Sequence, residues 1–461
     1  MDLMEMTGAI LAYGEICDHC LGRMVGKRSF GLSNDQRGHA LRVSYALSHD
    51  EPFHPHEGTC WICQEVFLST EEWARTIVTE LEGIEYRTFL IGTRVPPLMA
   101  ESEEMVWSDL SLSSPEPLKS EMNREVGKAV SRLTGKEADL THPDILAIID
   151  LSTGKVEIQV TPLFFYGRYR KLERGIPQTH WDCRECRGAG CERCHFTGKM
   201  YQDSVEELIG RPAIELCAAE AAVLHGAGRE DIDARMIGTG RPFVMELVRP
   251  FHRSIDLKVL EEAINGSASG RVEVSLERWT RRGEVETIKS DKAHKKYRIL
   301  VEIEGPLSLY ELQSALKALK GVTIYQRTPQ RVAHRRADKV RERHATEIAY
   351  LGEEEDGYVL EVTGEAGLYI KELISGDNGR TRPSLTEILQ RPARVSRLDV
   401  LQVVSTRDQC VIMAHHHGQR KQTRYKITKE IRGRCILPVT SVIQRFESGL
   451  KDPVVCERGK Q

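Results

Sequence analysis

Eight of the 12 cysteines in this 461-residue chain fall into four Cys-x-x-Cys pairs. A pair at that spacing turns both thiols toward one point, and two pairs brought together make a closed tetrahedral set for zinc. In a reducing compartment such pairs read as metal ligands rather than disulfides. They dictate where the chain folds back on itself before any periodicity is considered. Cys17 and Cys20 face Cys60 and Cys63 across a segment rich in Gly, His and Ser, and this set reads as a structural metal site. Cys183, Cys186, Cys191 and Cys194 crowd into 12 residues around Gly188 and Gly190. Zinc is one reading of that second set. A metal-free or partly occupied loop is the other, because its four-residue spacer is tight.

A chain of this length exceeds one ordinary core, so about two to four domains are expected. With 40% hydrophobic and 29% charged residues it has the composition of a soluble globular protein. No apolar run approaches the roughly 20 residues of a membrane helix, and the first residues lack a basic segment followed by an apolar one. A cytoplasmic location is the expectation. The net charge of −3 gives no global nucleic-acid footprint, although local basic stripes can still hold phosphates.

Periodicity places helices at 71–81 and 120–133 and strands at 86–91, 144–150 and 155–162, the last two joined by a Ser-Thr-Gly turn. Farther on, 205–224 reads as one helix, and 297–303, 322–326 and 358–362 as strands. Ser308 and Glu311 form a capping box ahead of Leu309, Leu312, Leu316 and Leu319. This order predicts an α+β class with an antiparallel mixed sheet in the second half. The domain boundaries read as 1–64 for an amino-terminal zinc-binding segment, 65–180 for an α/β domain, 181–200 for the cysteine-rich knuckle, 201–406 for a second α+β domain, and 407–461 for a basic tail.

Charge then marks the chemistry. Arg229 to Arg235 packs Glu230, Asp231 and Asp233 between two arginines, followed by Gly238, Gly240, Arg241, Pro242 and Phe243. Such density suits a site that keeps one carboxylate ionised beside a polyanion, since a nearby cation favours the charged form. In Tyr166-Gly-Arg168-Tyr169-Arg170-Lys171, aromatics alternate with cations, a pattern suited to base stacking with phosphate contact. From Arg327 to His344 seven basic residues, among them Arg331, Arg335 and Arg336, stand against two acids, the best candidate stripe for RNA or DNA. Lys371 follows two apolar residues as a cation at a core edge would, and Arg380 lies in a Gly/basic segment after it. Nothing in the chain reads as a nucleotide-binding fingerprint.

Taken together, the blocks Gly228 to Met236 with Gly240 to Phe243, Lys296 to Val301, Gln326 to Pro329 with His334 to Asp338, and Tyr369 to Glu372 with Gly379 to Thr381 resemble the archaeal and eukaryotic tRNA pseudouridine synthase family called Pus-ten. The segment 87–174 resembles the THUMP-containing accessory domain by which that family holds tRNA, and the leading cysteine pairs resemble its zinc site. The resemblance implies isomerisation of uridine to pseudouridine at positions 54 and 55 of the TΨC arm, with tRNA as partner, structural zinc, and no cofactor for catalysis. It makes Asp231 the catalytic aspartate, Tyr297 the active-site tyrosine that stacks on a flipped base, and Lys371 the basic partner. Leu398 would close the pocket, and Arg229 would be a second cation for Asp231. Arg168, Arg170, Arg331, Arg335, Arg336 and Arg380 are the expected RNA contacts.

One segment departs from that family. From Met413 the chain resembles the start of the archaeal ribosomal protein family called L-twenty-one-e, with seven basic residues against one acid up to Arg434. Two joined reading frames would account for it, and such a tail would have no part in catalysis. A non-catalytic zinc-containing protein of tRNA binding or ribosome assembly is the alternative for the whole chain. Both readings need RNA contacts, but only the enzyme needs Asp231.

Overall fold

The computed structural model describes residues 2–404 apart from Ser114, without the side chains of His334 and Arg335. The segment 405–461, with the ribosomal-protein-like tail, lies outside the described residues.

The amino-terminal segment is helical. Leu3–Leu11 opens on a capping box in which Asp2 accepts from the amides of Met4 and Glu5. Helices Asp18–Arg23 and Asn34–His49 cross at two glycines. A Cβ on Gly22 would lie 1.8 Å from the Asn34 carbonyl oxygen, and one on Gly38 1.9 Å from that of Asp18. Only backbone can meet backbone there.

A four-stranded sheet follows, built from β1 (Thr88–Arg94), β2 (Glu137–Ala138), β3 (Ile145–Asp150) and β4 (Lys155–Val160) in the order β2-β1-β3-β4. Alternate residues of β1 and β3 are buried, so one face is apolar: Phe89, Ile91, Ile145, Ala147 and Ile149 pack in a common core with Val126, Ala129 and Val130 of helix Leu118–Thr134. Helix Thr70–Glu80 adds Ala74 and Ile77 to that core. The predicted elements are present with ends shifted by a few residues, as expected where helix ends fray.

Only Thr161 and Pro162 separate β4 from β5 (Leu163–Lys171). The sequence reading placed this segment within the 65–180 domain. β5 instead runs antiparallel between β7 (Arg235–Val248) and β8 (Val272–Thr280), inside the second sheet. That sheet has ten strands. β6 (Ala221–Gly226) pairs with β7, and the others are β9 (His294–Ile303), β10 (Thr323–Arg327), β11 (Val340–Glu354), β12 (Gly357–Gly364), β13 (Thr381–Arg382) and β14 (Ala393–Val404). The path is β13-β10-β11-β12-β9-β14-β7-β5-β8.

One further expectation changes. The stretch 205–224 is helix only over Val205–Cys217; Ala218 turns left-handed at φ 46°, and the chain continues as β6. A half-buried strand and a buried helix face draw on the same apolar residues, so periodicity alone did not separate them. The sheet is mixed, and its antiparallel pattern is interrupted where β14 and β7 pair in parallel through Asp399 with Arg235 and Val400 with Met236. Those pairs form a seam between two half-cores. One half packs helices Val205–Cys217 and Leu257–Ser267 on β5, β7 and β8; the other packs Leu309–Leu319 and Ile370–Ser375 against β9, β12 and β14. Across the seam Asp399 accepts from Arg235 Nε at 2.9 Å, Arg235 Nη2 at 2.8 Å and Arg174 Nη2 at 2.5 Å. Burial opposes ionisation of Asp399, but the two guanidinium groups outweigh it and hold the carboxyl below its usual range.

The two sheets are latched to each other as well. Glu85 accepts from the amides of Arg253 and Ser254, and Arg253 lies 3.1 Å from Asp144. Among the described residues no helix is long and apolar enough to cross a membrane.

Candidate active site

The loop 227–234, between β6 and β7, arrives at the seam with its backbone carbonyls already claimed. Arg241 Nη1 donates to Ala227 O at 2.7 Å, and Gln178 Nε2 to Gly228 O at 3.0 Å. Lys171 Nζ donates to Asp231 O at 3.2 Å and Ile232 O at 3.0 Å, and to Ile176 O at 2.8 Å. Lys171 is fully buried, and desolvation pulls its ammonium down to about 8. Beneath the loop Glu230 and Arg241 form an ion pair at 2.8 Å with both side chains 1% exposed, and Tyr169 Oη donates to Glu230 at 2.9 Å. A buried pair of this kind is a poor source of stability but fixes geometry, because breaking it strands a charge.

Fixed in this way, Asp231 faces a cleft of about 310 Å³. Arg331 Nη1 reaches Asp231 Oδ1 at 2.6 Å, while Arg331 Nε reaches the buried Glu372 at 2.6 Å. Lys371 Nζ lies 3.7 Å from Asp231 Oδ2 and 2.6 Å from Asp233 Oδ2. Desolvation works against the Asp233 carboxylate, yet Lys371 holds it below the usual range. Tyr297 and Leu398 line the same cleft, and burial raises the Tyr297 phenol to about 12. Its ring is therefore a neutral, largely buried surface at physiological pH.

The sequence-named residues sort unevenly. Asp231, Tyr297, Lys371, Leu398, Arg229, Arg331 and Arg336 all line the cleft. Arg229 lies over the Trp181 ring at 5.2 Å, and the short salt bridge to Asp231 comes from Arg331, which the sequence had marked only as an RNA contact. Arg336 donates to Tyr369 Oη at 3.1 Å. Arg168, Arg170 and Arg380 stand away from the cleft in ties within the fold: to Gly240 O at 3.2 Å, to Glu273, and to Thr328 O at 2.6 Å. Tyr169 is fully buried and cannot stack on a base from solution. The alternating pattern on β5 is thus largely internal to the fold, which overturns the stacking expectation for Tyr169. Lys171, Glu230, Arg241 and Lys295 are the residues that sequence reasoning left without a role at the cleft. The short blocks containing them gave no sign of which charges would be buried.

Both cysteine sets come together. Within each, the four Sγ atoms all lie within 4.8 Å of one another. Cys17 and Cys63 are 3.6 Å apart, Cys183 and Cys191 3.9 Å, and Cys186 and Cys194 3.8 Å. Tetrahedral zinc with Zn–S bonds of ~2.3 Å spaces its sulfurs by about 3.8 Å, so the donor sets fit. Backbone amides of Gly190 and Gly198 donate to Cys186 and Cys194 at 3.2 and 3.3 Å, as thiolate ligands require. Arg23 Nη2 lies 3.3 Å from Cys20 Sγ in the first set.

A ten-stranded mixed sheet carrying Asp231 between two cations, preceded by a four-stranded accessory sheet, makes this an α+β protein of two sheets. The family described as "Pus10, C-terminal" matches residues 164–404, and "Pus10 THUMP domain, archaeal" matches 73–150. A protein named tRNA pseudouridine synthase Pus10 from Methanothrix thermoacetophila is 46% identical over 432 residues, covering 87% of this chain and 94% of that protein. Relatives with the same name from Archaeoglobus fulgidus and Pyrococcus furiosus are 47% and 37% identical, covering 75% and 87% of this chain and 94% and 98% of their own lengths. The chain belongs to the Pus10 family.

Proposed function

We propose that this protein isomerises uridine to pseudouridine in tRNA, at positions 54 and 55 of the TΨC arm, with Asp231 as the catalytic group. The observation that carries this reading is Asp231 set between Arg331 and Lys371 at the mouth of a cleft walled by Tyr297 and Leu398. The reaction detaches uracil from C1′ of the ribose, rotates it, and rejoins it through C5. Asp231 either attacks C1′ or takes a proton from the sugar. Its two cations neutralise its charge as the bound RNA excludes water, and the cradled loop keeps it aimed. A uridine flipped from the RNA would stack on Tyr297, whose phenol stays neutral. The name shared by relatives over most of this chain favours the enzyme over the non-catalytic RNA-binding alternative.

The accessory sheet would grip the tRNA away from the target base. Cys17, Cys20, Cys60 and Cys63 would hold one zinc, and Cys183, Cys186, Cys191 and Cys194 a second, each supplying folding energy rather than chemistry.

The test uses tRNA transcript carrying tritium at uridine C5, which isomerisation releases to water. Wild type should release label from transcripts with uridine at 54 or 55, and Asp231→Asn should not. Release by Asp231→Asn at the wild-type rate would overturn the assignment.

A further inference from the structure

Seven cations line the cleft (Arg229, Arg241, Lys289, Lys295, Arg331, Arg336 and Lys371) against three acids: Glu230, Asp231 and Asp291. Most have work already described. Arg241 is matched by Glu230, Arg331 and Lys371 serve Asp231, Arg336 meets Tyr369, and Arg229 lies over Trp181. Lys295 is different. It lies two residues before Tyr297 on β9, so both side chains leave the same face of the strand and both reach the cleft. Among the described residues its ammonium makes one hydrogen bond, a long 3.4 Å contact to Ala293 O. The charged groups around it are Arg241 on β7, which repels it, Asp291 before β9, and Lys289 at the end of helix Gly283–Ser290.

A largely buried cation without a close carboxylate is costly to keep, and it faces the space beside the aromatic ring where a base would lie. Resting on the proposed isomerisation, we infer that Lys295 is a further functional residue whose ammonium stabilises the negative charge on the departing uracil. When the C1′–N1 bond breaks, both electrons stay with N1, and the ring becomes an anion with charge shared over N1, O2 and O4. After rotation a ring electron pair forms the C5–C1′ bond, the C5 proton passes to water, and N1 regains a proton. Between the two bond changes the ring is an anion. A preorganised cation in a desolvated cleft lowers the energy of that stage more than the ground state, which is neutral. Burial brings the Lys295 ammonium down to about 8, which still leaves it mostly charged at neutral pH.

The test compares Lys295→Met and Lys295→Arg in the full-length chain, by single-turnover conversion and by tRNA affinity. Lys295→Met should lower the saturated rate by about 100-fold with tRNA affinity unchanged, and Lys295→Arg should recover much of the loss. In transcripts with 5-fluorouridine at the target, fluorine makes the departing ring a more stable anion. There C5 keeps its fluorine after rejoining C1′ and water adds across the C6–N1 double bond, and nucleoside chromatography of that hydrated product should show a smaller gap between Lys295→Met and wild type. Weakened tRNA affinity with an unchanged saturated rate would make Lys295 a phosphate anchor and overturn the inference. The same deficit with uridine and 5-fluorouridine, or a wild-type rate in Lys295→Met, would also overturn it. If Lys295→Met does not fold, Lys295→Gln takes its place in each comparison. Failure of wild type to convert either substrate would instead count against the proposed function.

Discussion

Lys371 gives its shorter salt bridge to Asp233, at 2.6 Å, and stands 3.7 Å from Asp231. One cation therefore serves two carboxylates two residues apart, and Asp233 tethers the lysine that stands beside Asp231. Asp233→Asn should leave Lys371 free to close on Asp231. We expect a modest change in the single-turnover rate, within about 10-fold of wild type, against loss on the order of 100-fold or more for Lys371→Met. Equal losses for the two variants would show that the tether and the cation act as one unit.

Arg331 bridges Asp231 and Glu372, which lie on separate segments of chain. Arg331→Met strands the buried Glu372 and removes the nearest cation from Asp231. The melting temperature should fall by an amount equivalent to about 1–3 kcal/mol, and the rate by roughly 100-fold or more. Arg331→Lys keeps the charge but cannot fork to two carboxylates, so it should restore stability only in part.

Lys171 makes a pH prediction with a definite sign. Its folded value is depressed from 10.5 to about 8, so between those values the unfolded chain binds more protons than the folded one, and stability from this group rises with pH. It is fully present above 10.5 and is lost as pH falls through about 8. Subtracting the denaturation curves of Lys171→Met from those of wild type over that window should reveal a rise on the order of 2–3 kcal/mol. A flat difference would mean that the amine is solvated in the native state.

How much of this was legible beforehand depended on how local the signal was. The block Gly228 to Met236 stands out because carboxylates and arginines crowd within it, the family resemblance singles out Asp231 there, and the cysteine pairs declare their spacing outright. Arg331 is 100 residues from Asp231, and no periodicity links them. On β5 the alternation of Tyr and Arg looked like a surface, because a strand buried on both faces within a large sheet can still carry polar residues when each finds a partner. Tyr169 has Glu230, and Lys171 has three carbonyls. Those partners come from the loop and from the segment after β5, so burial could be known only once the strands were paired. The helix predicted over 205–224 failed at Ala218 for a related reason: pairing with β7 decided the conformation of the residues that follow.

The cysteine sets predict a stoichiometry. Metal analysis of purified protein should find two zinc atoms per chain. Cys20→Ser and Cys186→Ser should each lose about one, and Cys20→Ser should melt the amino-terminal helices early. No zinc in Cys20→Ser and none lost in Cys186→Ser would assign zinc to the first set alone.

The seam offers a final test. Asp399 holds Arg235 and Arg174 from outside the cleft, and Asp399→Asn should cost about 1–3 kcal/mol and reduce the rate without changing tRNA affinity. Unaltered catalysis in a destabilised Asp399→Asn would uncouple the seam from the loop.

Thr161 and Pro162 are all that separates the last strand of the accessory sheet from β5, which is hydrogen-bonded to the strand leaving the Asp231 loop. With Glu85 and Arg253 fastened across the same junction, the two sheets have no slack to take up. On the proposed function, RNA held by the accessory sheet would be presented to Asp231 at one set reach, so the choice of nucleotide would be a matter of length measured along the RNA as much as of its sequence.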